Sequence, residues 1–241
     1  MTKQEEKALS ILQSYGDPAC YEEMTSCITR GYAEILDARE HGVMMRHTRA
    51  NLYLLAGHPY RMLNMAMELP RDVRNIMLHG AMPAENVLGI KKIFRHAHLE
   101  PFINFAYYGE MPAPPEDIDM RPLGMDSLDF LDEHYSHASR EYLAARIADG
   151  VMIGAYVDGN LAGFIGEHVE GAMGLLHILP EYRRHRLGMK LEIEGIRSTL
   201  ARGHVPFCQV AAHNSASRSL QSRLGMAESQ GILYWISNDP L

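Results

Sequence analysis

The sequence contains only three cysteines and one tryptophan in 241 residues, and it has fewer basic residues than acidic ones, 23 against 30. Three cysteines cannot build a disulfide framework, and Cys20, Cys27 and Cys208 form neither a CxxC pair nor a zinc-binding spacing. We therefore expect reduced thiols and a cytoplasmic protein.

Long apolar runs are also missing. No stretch approaches the roughly 18 apolar residues that span a bilayer, and the first residues, MTKQEEKALSILQSYG, lack the apolar core of a signal peptide. The net charge of -7 argues against nucleic acid and anionic membranes as partners, because both usually select a basic surface. With 46% hydrophobic residues, the chain is expected to fold as a soluble globular protein.

Proline is concentrated in one segment. The stretch GEMPAPPEDI, residues 109–118, has three prolines in four positions, which excludes regular hydrogen-bonded structure and favours an extended connector. We place a domain boundary there, with an N-terminal α+β domain over 1–110, a linker over 111–116 and a second domain over 117–241.

Apolar periodicity and turn residues predict the elements of both parts. In the first part we expect helices over 3–15, 18–30, 71–79 and 84–94, an antiparallel meander through 32–57, and a strand over 101–108. In the second part the predicted order is β-α-α-β-β-β-α-β-α-β, with a hairpin turning at 158–160. This pattern indicates an α/β (α+β) fold with a mixed, mostly antiparallel sheet flanked by helices.

Basic charge is gathered at one point of this acidic chain. In LPEYRRHRLGMKL, residues 179–191, three arginines, a histidine and a lysine fall between an apolar strand and a helix. The first N–H groups of a helix lack partners and bind phosphate well, so the backbone over 184–189 is a candidate pyrophosphate site, where Gly188 permits close approach. The alternative is a solvated basic helix start.

These residues resemble a known motif. LHILPEYRRHRLGMKL is similar to the acyl-CoA-binding motif of the GNAT superfamily of N-acetyltransferases, Q/R-x-x-G-x-G/A, here running from Arg183 to Gly188. Arg186 stands where the family usually has its first glycine. A second stretch, NSASRSLQSRLGM, resembles the later motif of the family through Asn214, Ser217, Leu220, Gly225 and Met226. With Trp235, these stretches are most similar to the glycine N-acyltransferase-like branch, whose first half is a reduced, silent copy of the fold.

The resemblance implies a GNAT-like fold and an N-acetyltransferase that transfers an acetyl or longer acyl group from acetyl-CoA or another acyl-CoA to a primary amine of a small molecule. The residues it implies for cofactor binding are Ile178, Leu179, Arg183, Arg184, His185, Arg186, Leu187, Gly188, Met189, Asn214, Ser217 and Gln221. Gln221 replaces a frequent tyrosine of the family, a proton donor to the thiolate, and an amide cannot supply that proton.

The catalytic groups are less clearly indicated. The resemblance implies an oxyanion-binding backbone N–H near 177–179, and the position of a family glutamate falls on Ala172. Glu170, Glu167 and His177 are the candidate bases; the alternatives are solvated turn residues for the glutamates and a hydrogen-bonded strand residue for His177.

Two histidine-containing stretches complete the candidates. His134 and Tyr135, together with His137, are candidate residues of the amine site, since family substrates commonly enter beside the first two helices; the alternative is a polar helix end. His96, His98 and Glu100 could share a face of a strand and bind a metal, but we interpret RHAHLE as the polar end of a helix and expect no metal.

Three functions remain open from the sequence. The leading one is the enzyme acting on a small amine, and the alternatives are a catalytically silent acyl-CoA sensor and an acetyltransferase of protein N-termini or lysines. The sequence leaves the amine and the existence of a homodimer undetermined.

Overall fold

The computed structural model of the protein describes residues 1–95 and 98–238, which form two compact units. Unit 1 contains the residues up to 106, residues 209–222 and those from 226 onward. Unit 2 contains residues 107–208 and 223–225. The predicted segment 117–241 therefore contributes to both units.

The first half of the chain folds into four helices and five strands in the described residues. They are α1 (Lys3–Ser14), α2 (Pro18–Thr29), β1 (Ala33–Arg39), β2 (Gly42–His47), β3 (Leu52–Gly57), α3 (Pro59–Glu68), β4 (Asn75–His79), α4 (Ala84–Phe94) and β5 (His98–Ala106). Residues 107–118, which include the proline-rich segment, contain neither helix nor strand.

The second half begins with a short strand and repeats the pattern. Its elements are β6 (Asp119–Pro122), α5 (Leu128–His134), α6 (Arg140–Ala148), β7 (Ile153–Val157), β8 (Asn160–Glu167), β9 (Met173–Ile178), α7 (Leu187–Ala201), β10 (Phe207–Ala211), α8 (Ser215–Arg223), β11 (Ala227–Glu228) and β12 (Leu233–Ser237). Short 3-10 turns precede α5, at Met125–Ser127, and follow β9, at Pro180–Tyr182.

Unit 1 is built around a large sheet with the strand order β1-β2-β3-β4-β12-β5-β10, to which β11 adds beside β5. The β3–β4 pair is parallel, whereas β12 lies antiparallel between β4 and β5. Alternate residues of the strands point to opposite faces, so Leu54 packs with α1 and α2 and Leu55 packs with α3 and α4. Both faces are thus covered by helices.

Unit 2 contains an antiparallel sheet of order β6-β7-β8-β9. Helices α5 and α6 cover one face through an apolar cluster that includes Leu131, Leu143 and Phe164. On α7, a Cβ added to Gly195 would come within 3.2 Å of Ile165 on β8, so this helix packs closely against the sheet. The hairpin turn at Asp158 and Gly159 has positive φ at both residues, as its sequence predicts.

The order of elements occurs twice. From α1 to β5 and again from α5 onward, the chain runs through two helices, three strands, a helix, a strand and a helix; the first run then ends in one strand, β5, and the second in two, β11 and β12. The sequence shows no convincing internal repeat, so this similarity in the order of elements is visible only in the structure.

The predicted fold class is confirmed, but three local predictions are wrong. Residues 75–79 form β4 and not part of a helix, because Ile76, Met77 and Leu78 are all buried between neighbouring strands. The sequence analysis also missed α3, which begins with a proline at its first position. The third error concerns RHAHLE: His98 and Glu100 belong to β5 and not to a helix end, while His96 lies outside the described residues.

None of the helices in the described ranges is long and apolar enough to cross a bilayer.

Candidate functional site

The turn between β9 and α7 has an unusual backbone. After the 3-10 turn at Pro180–Tyr182, Arg184 and Arg186 both adopt left-handed conformations, with φ of 67° and 59°. Such conformations cost energy for residues other than glycine, and functional sites are where they concentrate. Arg186 therefore occupies the conformation that a glycine at its position would adopt most easily.

Helix α7 begins without a side-chain cap. Arg186 is its N-cap residue and forms no capping hydrogen bond, and the first bond of the helix is donated by Lys190 to the Arg186 carbonyl, at 3.1 Å. Over the ranges that the structure describes, no hydrogen bond occupies the N–H groups of Leu187, Gly188 and Met189. A Cβ added to Gly188 would meet nothing within 4 Å, so space is open beside these donors.

The unpaired N–H groups adjoin a cavity of about 320 Å³, which brings together most of the predicted phosphate-binding residues. Its lining residues are Ile178, Tyr182, Arg183, Arg184, Arg186, Leu187 and Gly188. In the described part of the chain, no acidic side chain pairs with Arg184 or Arg186, both of which are exposed. The cavity therefore combines uncompensated positive charge with free backbone donors, which suits an anion such as a diphosphate.

The other predicted residues of this turn flank the cavity. His185 is exposed, Leu179 is buried and Met189 is half-buried. Tyr182 is a lining residue that the sequence analysis missed; its only signal is its position two residues after Pro180 in the basic run.

The end of β9 presents one backbone N–H at the edge of the sheet. The N–H of Leu179 donates to the Ala162 carbonyl on the β8 side, at 3.0 Å. Neighbouring residues of an antiparallel strand point their peptide groups in opposite directions, so those of Ile178 point away from β8. Consistently, the Nε of Arg183 donates to the Ile178 carbonyl, at 3.0 Å. Among the backbone N–H groups near 177–179 that were predicted to bind an oxyanion, that of Ile178 has the suitable orientation, because it points away from β8.

Upstream of Ile178, β9 contains a bulge. Phe164 pairs with His177 and Gly166 pairs with Gly174, so β9 contributes one more residue than β8 between these pairs. Leu175, within the bulge, has a φ of 53°. Bulges redirect side chains and occur often beside active sites. The sequence GLLHI shows no signal for this irregularity.

His177 lies half-buried in an aromatic environment. Its ring stacks on Phe164 with 5.6 Å between the centroids, and the Tyr135 ring meets it edge-on at 6.3 Å. Burial, and then the nearby charges of Arg183, His134 and His137, lower the pKa of His177 below its usual value. The imidazole is therefore neutral at pH 7 and able to accept a proton.

The predicted amine-site residues lie in the same region as His177. His134 ends α5, its Nδ1 is 2.9 Å from the Phe130 carbonyl, and its ring stacks on Phe130. Tyr135 follows at the C-cap, and burial raises the pKa of its hydroxyl. The structure thus gathers His134, Tyr135 and His177 beside the end of β9.

Glu167 lies elsewhere in unit 2. Its buried carboxylate accepts hydrogen bonds from the hydroxyl of Thr199 and the guanidinium of Arg202. Both partners belong to the C-terminal end of α7 and the residue after it, whereas the cavity adjoins the first turn of α7.

Glu170 belongs to a second polar group, around the turn between β8 and β9. It is buried, and after burial itself its charge is the largest cause that raises the pKa of Tyr142. The Tyr142 hydroxyl lies 3.0 Å from Nδ1 of His168 and accepts a hydrogen bond from the N–H of Val169. Burial, and then the charge of Arg146, lower the pKa of His168 to about 4. Ala172, at the position of the family glutamate, is buried in this segment.

Asn214, Ser217, Leu220 and Met226 of the second motif belong to unit 1, and Gly225 belongs to unit 2. The Asn214 side chain accepts a hydrogen bond from the N–H of Ser217 at 3.0 Å, which caps the start of α8. Gln221 is buried on the same helix. The spacing of three residues between Asn214 and Ser217 is therefore the one that this helix cap requires.

Metal ligation finds no support among the residues with described positions, where no group of three or more His, Cys, Asp or Glu side chains could hold an ion. Glu100 instead lies 3.2 Å from His213. Cys20, Cys27 and Cys208 are buried and form no disulfide in the described structure.

Comparison with known proteins identifies one family model and several solved structures of similar fold. Residues 152–236 match the model of the FR47-like protein family, whereas no curated protein matches the sequence significantly. A solved Drosophila protein is 15% identical, with a TM-score of 0.63 over 98% of this chain and 97% of that one. A GCN5-related N-acetyltransferase-like protein from Streptococcus suis is 14% identical, with a TM-score of 0.55 over 98% of both chains.

A GCN5-related N-acetyltransferase from Kribbella flavida is 11% identical, with a TM-score of 0.55 over 92% of this chain and 95% of that one. The chain has the GNAT fold. At these identities the likeness concerns the fold alone, and together with the family match it supports the resemblance to the GNAT superfamily seen in the sequence.

Proposed function

We propose that the protein is an acyl-CoA-dependent N-acyltransferase that transfers an acetyl group from acetyl-CoA to a primary amine of a small molecule. The observation that carries this proposal is the basic cavity at the start of α7, with its free N–H groups and the open space beside Gly188. The GNAT fold and the motif from Arg183 to Gly188 support it. On the motifs of the sequence we also propose the glycine N-acyltransferase-like branch.

The residues around the cavity suit the diphosphate of CoA. The N–H groups of Leu187, Gly188 and Met189 would bind its oxygens, while Arg184 and Arg186 offset its charge. The cofactor supplies the acyl group as a thioester, whose carbonyl reacts readily with an amine. The N–H of Ile178, which points away from β8, is positioned at the strand end to stabilise negative charge on that carbonyl oxygen.

His177 is the base that the geometry favours. An amine attacks only after it loses a proton, and a neutral imidazole accepts one at physiological pH. His177 adjoins Ile178 and lies beside Tyr135 and the charges of His134 and His137. Glu167 is already bound by Arg202 and Thr199, so we assign it a structural role in this proposal. Tyr135 and His134 form the amine side of the site.

Release of free thiol from acetyl-CoA, measured with a panel of amino acids, polyamines and short basic peptides, tests the proposal. We expect turnover with at least one small amine and saturable binding of CoA in calorimetry. Binding of CoA without turnover on any amine would instead establish the silent sensor, and a preference for peptides would establish the protein acetyltransferase.

A further inference from the structure

Arg183 differs from the other arginines of the cavity in one contact. Its Nε donates to the Ile178 carbonyl at 3.0 Å. This bond holds the guanidinium beside Ile178, the residue next to His177. Arg184 and Arg186 have no such bond to β9 in the described structure. Arg183 therefore contacts two places, the anion-binding cavity and the end of the strand that carries His177.

We propose that Arg183 is a positioning residue that couples the cavity to His177. An anion bound in the cavity offsets the charge of Arg183 and in this way makes protonation of His177 easier. The inference rests on the proposed function for the identity of the anion, CoA, and for the role of His177. The geometry behind the inference depends on neither assumption. It consists of the hydrogen bond from Arg183 to Ile178 and the position of Arg183 in the cavity wall.

The surroundings of His177 determine the direction of the effect. From the segment at the end of α5 it faces His134, Tyr135 and His137, from β8 it faces the uncharged Phe164, and from the turn it faces Arg183. The charged groups that act on it are all basic, and they disfavour the imidazolium.

A diphosphate in the cavity would offset the charge of Arg183. The imidazolium then becomes less unfavourable, so the pKa of His177 rises when CoA binds. Consequently His177 would be a weaker base in the free protein and a stronger base once the acyl donor is in place. Binding would also take up protons at a pH near that pKa.

Titration of the histidine ring signals by NMR tests the coupling, with His177 assigned by the His177→Gln variant. In the wild type we expect saturating CoA to raise the pKa of His177 by about half a unit. Arg183→Gln is expected to raise that pKa by a similar amount in the free protein and to reduce the further rise on CoA binding at least by about half.

Two variants separate charge from structure. Arg184→Gln removes a neighbouring cavity arginine that does not bind Ile178, and we expect weaker CoA binding but an unchanged pKa of His177 in the free protein. Arg183→Lys keeps the charge, and we expect a pKa close to that of the wild type.

Equal pKa values in Arg183→Gln and Arg184→Gln would overturn the coupling, as would CoA binding in the wild type without a shift. Calorimetry on the same samples distinguishes these results from failure of the proposed function, in which CoA would not bind at all. Absence of CoA binding would therefore overturn the coupling as well as the proposed function.

Discussion

The guanidinium of Arg202 and the carboxylate of Glu167 form an ion pair at the C-terminal end of α7. The hydroxyl of Thr199 donates to the same carboxylate oxygen. Because α7 rises 1.5 Å per residue, Thr199 lies roughly 18 Å along the helix from Leu187. The pair thus holds the end of α7 that is remote from the cavity against the last residue of β8.

We expect Glu167→Ala to destabilise the fold without affecting the cofactor site. Removing one partner of a buried pair leaves the other charge unsatisfied, and since the Arg202 side chain is about one-third exposed we expect a loss of about 2 kcal/mol. Urea denaturation measures the loss, and calorimetry should show CoA affinity within about twofold of the wild type. Unchanged stability together with lost turnover would mean that Glu167 is catalytic after all.

Gly188 provides the most direct test of the cavity. Apart from its chain neighbours and its own helix backbone, a Cβ at Gly188 meets nothing within 4 Å, so the fold has room for Gly188→Asp, and an acidic residue in the first turn even favours the helix. The same carboxylate repels a diphosphate, and we expect CoA binding to weaken by at least about 100-fold.

The matched control is Gly188→Ala, which fills little of the open space and adds no charge. Its CoA affinity should remain much closer to that of the wild type. If the aspartate variant folds and binds CoA as tightly as the wild type, the diphosphate does not lie beside Gly188.

In unit 1 a helix, α3, also follows a strand, β3, but most donors and the arginine of this turn are occupied. Pro59 at the first helical position has no N–H, and the Arg61 side chain is paired with the buried Asp37. In addition, β3 and β4 form a parallel ladder from Leu52 to Ala56. Since the N–H groups of Arg61 and Met62 donate to the His58 carbonyl, this turn has fewer free donors than the turn before α7 and lacks its unpaired arginines.

We consequently expect one CoA molecule to bind per chain. Calorimetry on the wild type measures the stoichiometry, and Gly188→Asp should leave no residual site. A stoichiometry of two, or binding that survives in Gly188→Asp, would show that unit 1 also binds the cofactor.

The stability of the fold should depend on pH through His168. Its pKa is about 4 in the folded protein and about 6.5 when unfolded, because burial and then Arg146 disfavour the charged ring. The unfolded chain binds the proton more readily between these values, so the contribution of His168 is fully present above pH 6.5 and is lost as the pH falls towards 4. The loss reaches up to about 3 kcal/mol.

Thermal or urea denaturation between pH 4 and 7 measures this dependence. The control is His168→Asn, whose side-chain amide can still form a hydrogen bond with the Tyr142 hydroxyl but does not titrate in this range. Its stability should vary less with pH; an equal slope would mean that other groups cause the dependence.

Local signals in the sequence predicted much of the fold and the basic turn that forms part of the candidate site. The Asp158–Gly159 turn, the glycine after α7 and the basic turn before it were all identified from residues close together in the chain. The position of β12 between β4 and β5 was not predictable, because it depends on pairing between residues more than 130 positions apart, such as Trp235 with Glu100. Strand β4 was missed for a related reason. Its apolar run fits a helix or a strand, and only its neighbours decide between them.

The proposed base gives the last prediction. His177→Gln removes the proton acceptor but keeps a polar side chain of similar size, so we expect kcat to fall by about 10²- to 10⁴-fold. CoA affinity should change little, since His177 is not among the residues that line the cavity. The pH dependence of kcat/KM for acetyl-CoA should also lose the ionisation that lies below pH 6.5 in the wild type, because this ratio reports the free protein, in which the pKa of His177 is lowered and protonation of His177 stops catalysis. A variant that keeps both its rate and its pH profile would show that another group accepts the proton, and Glu170, the remaining candidate base, would be the next residue to test.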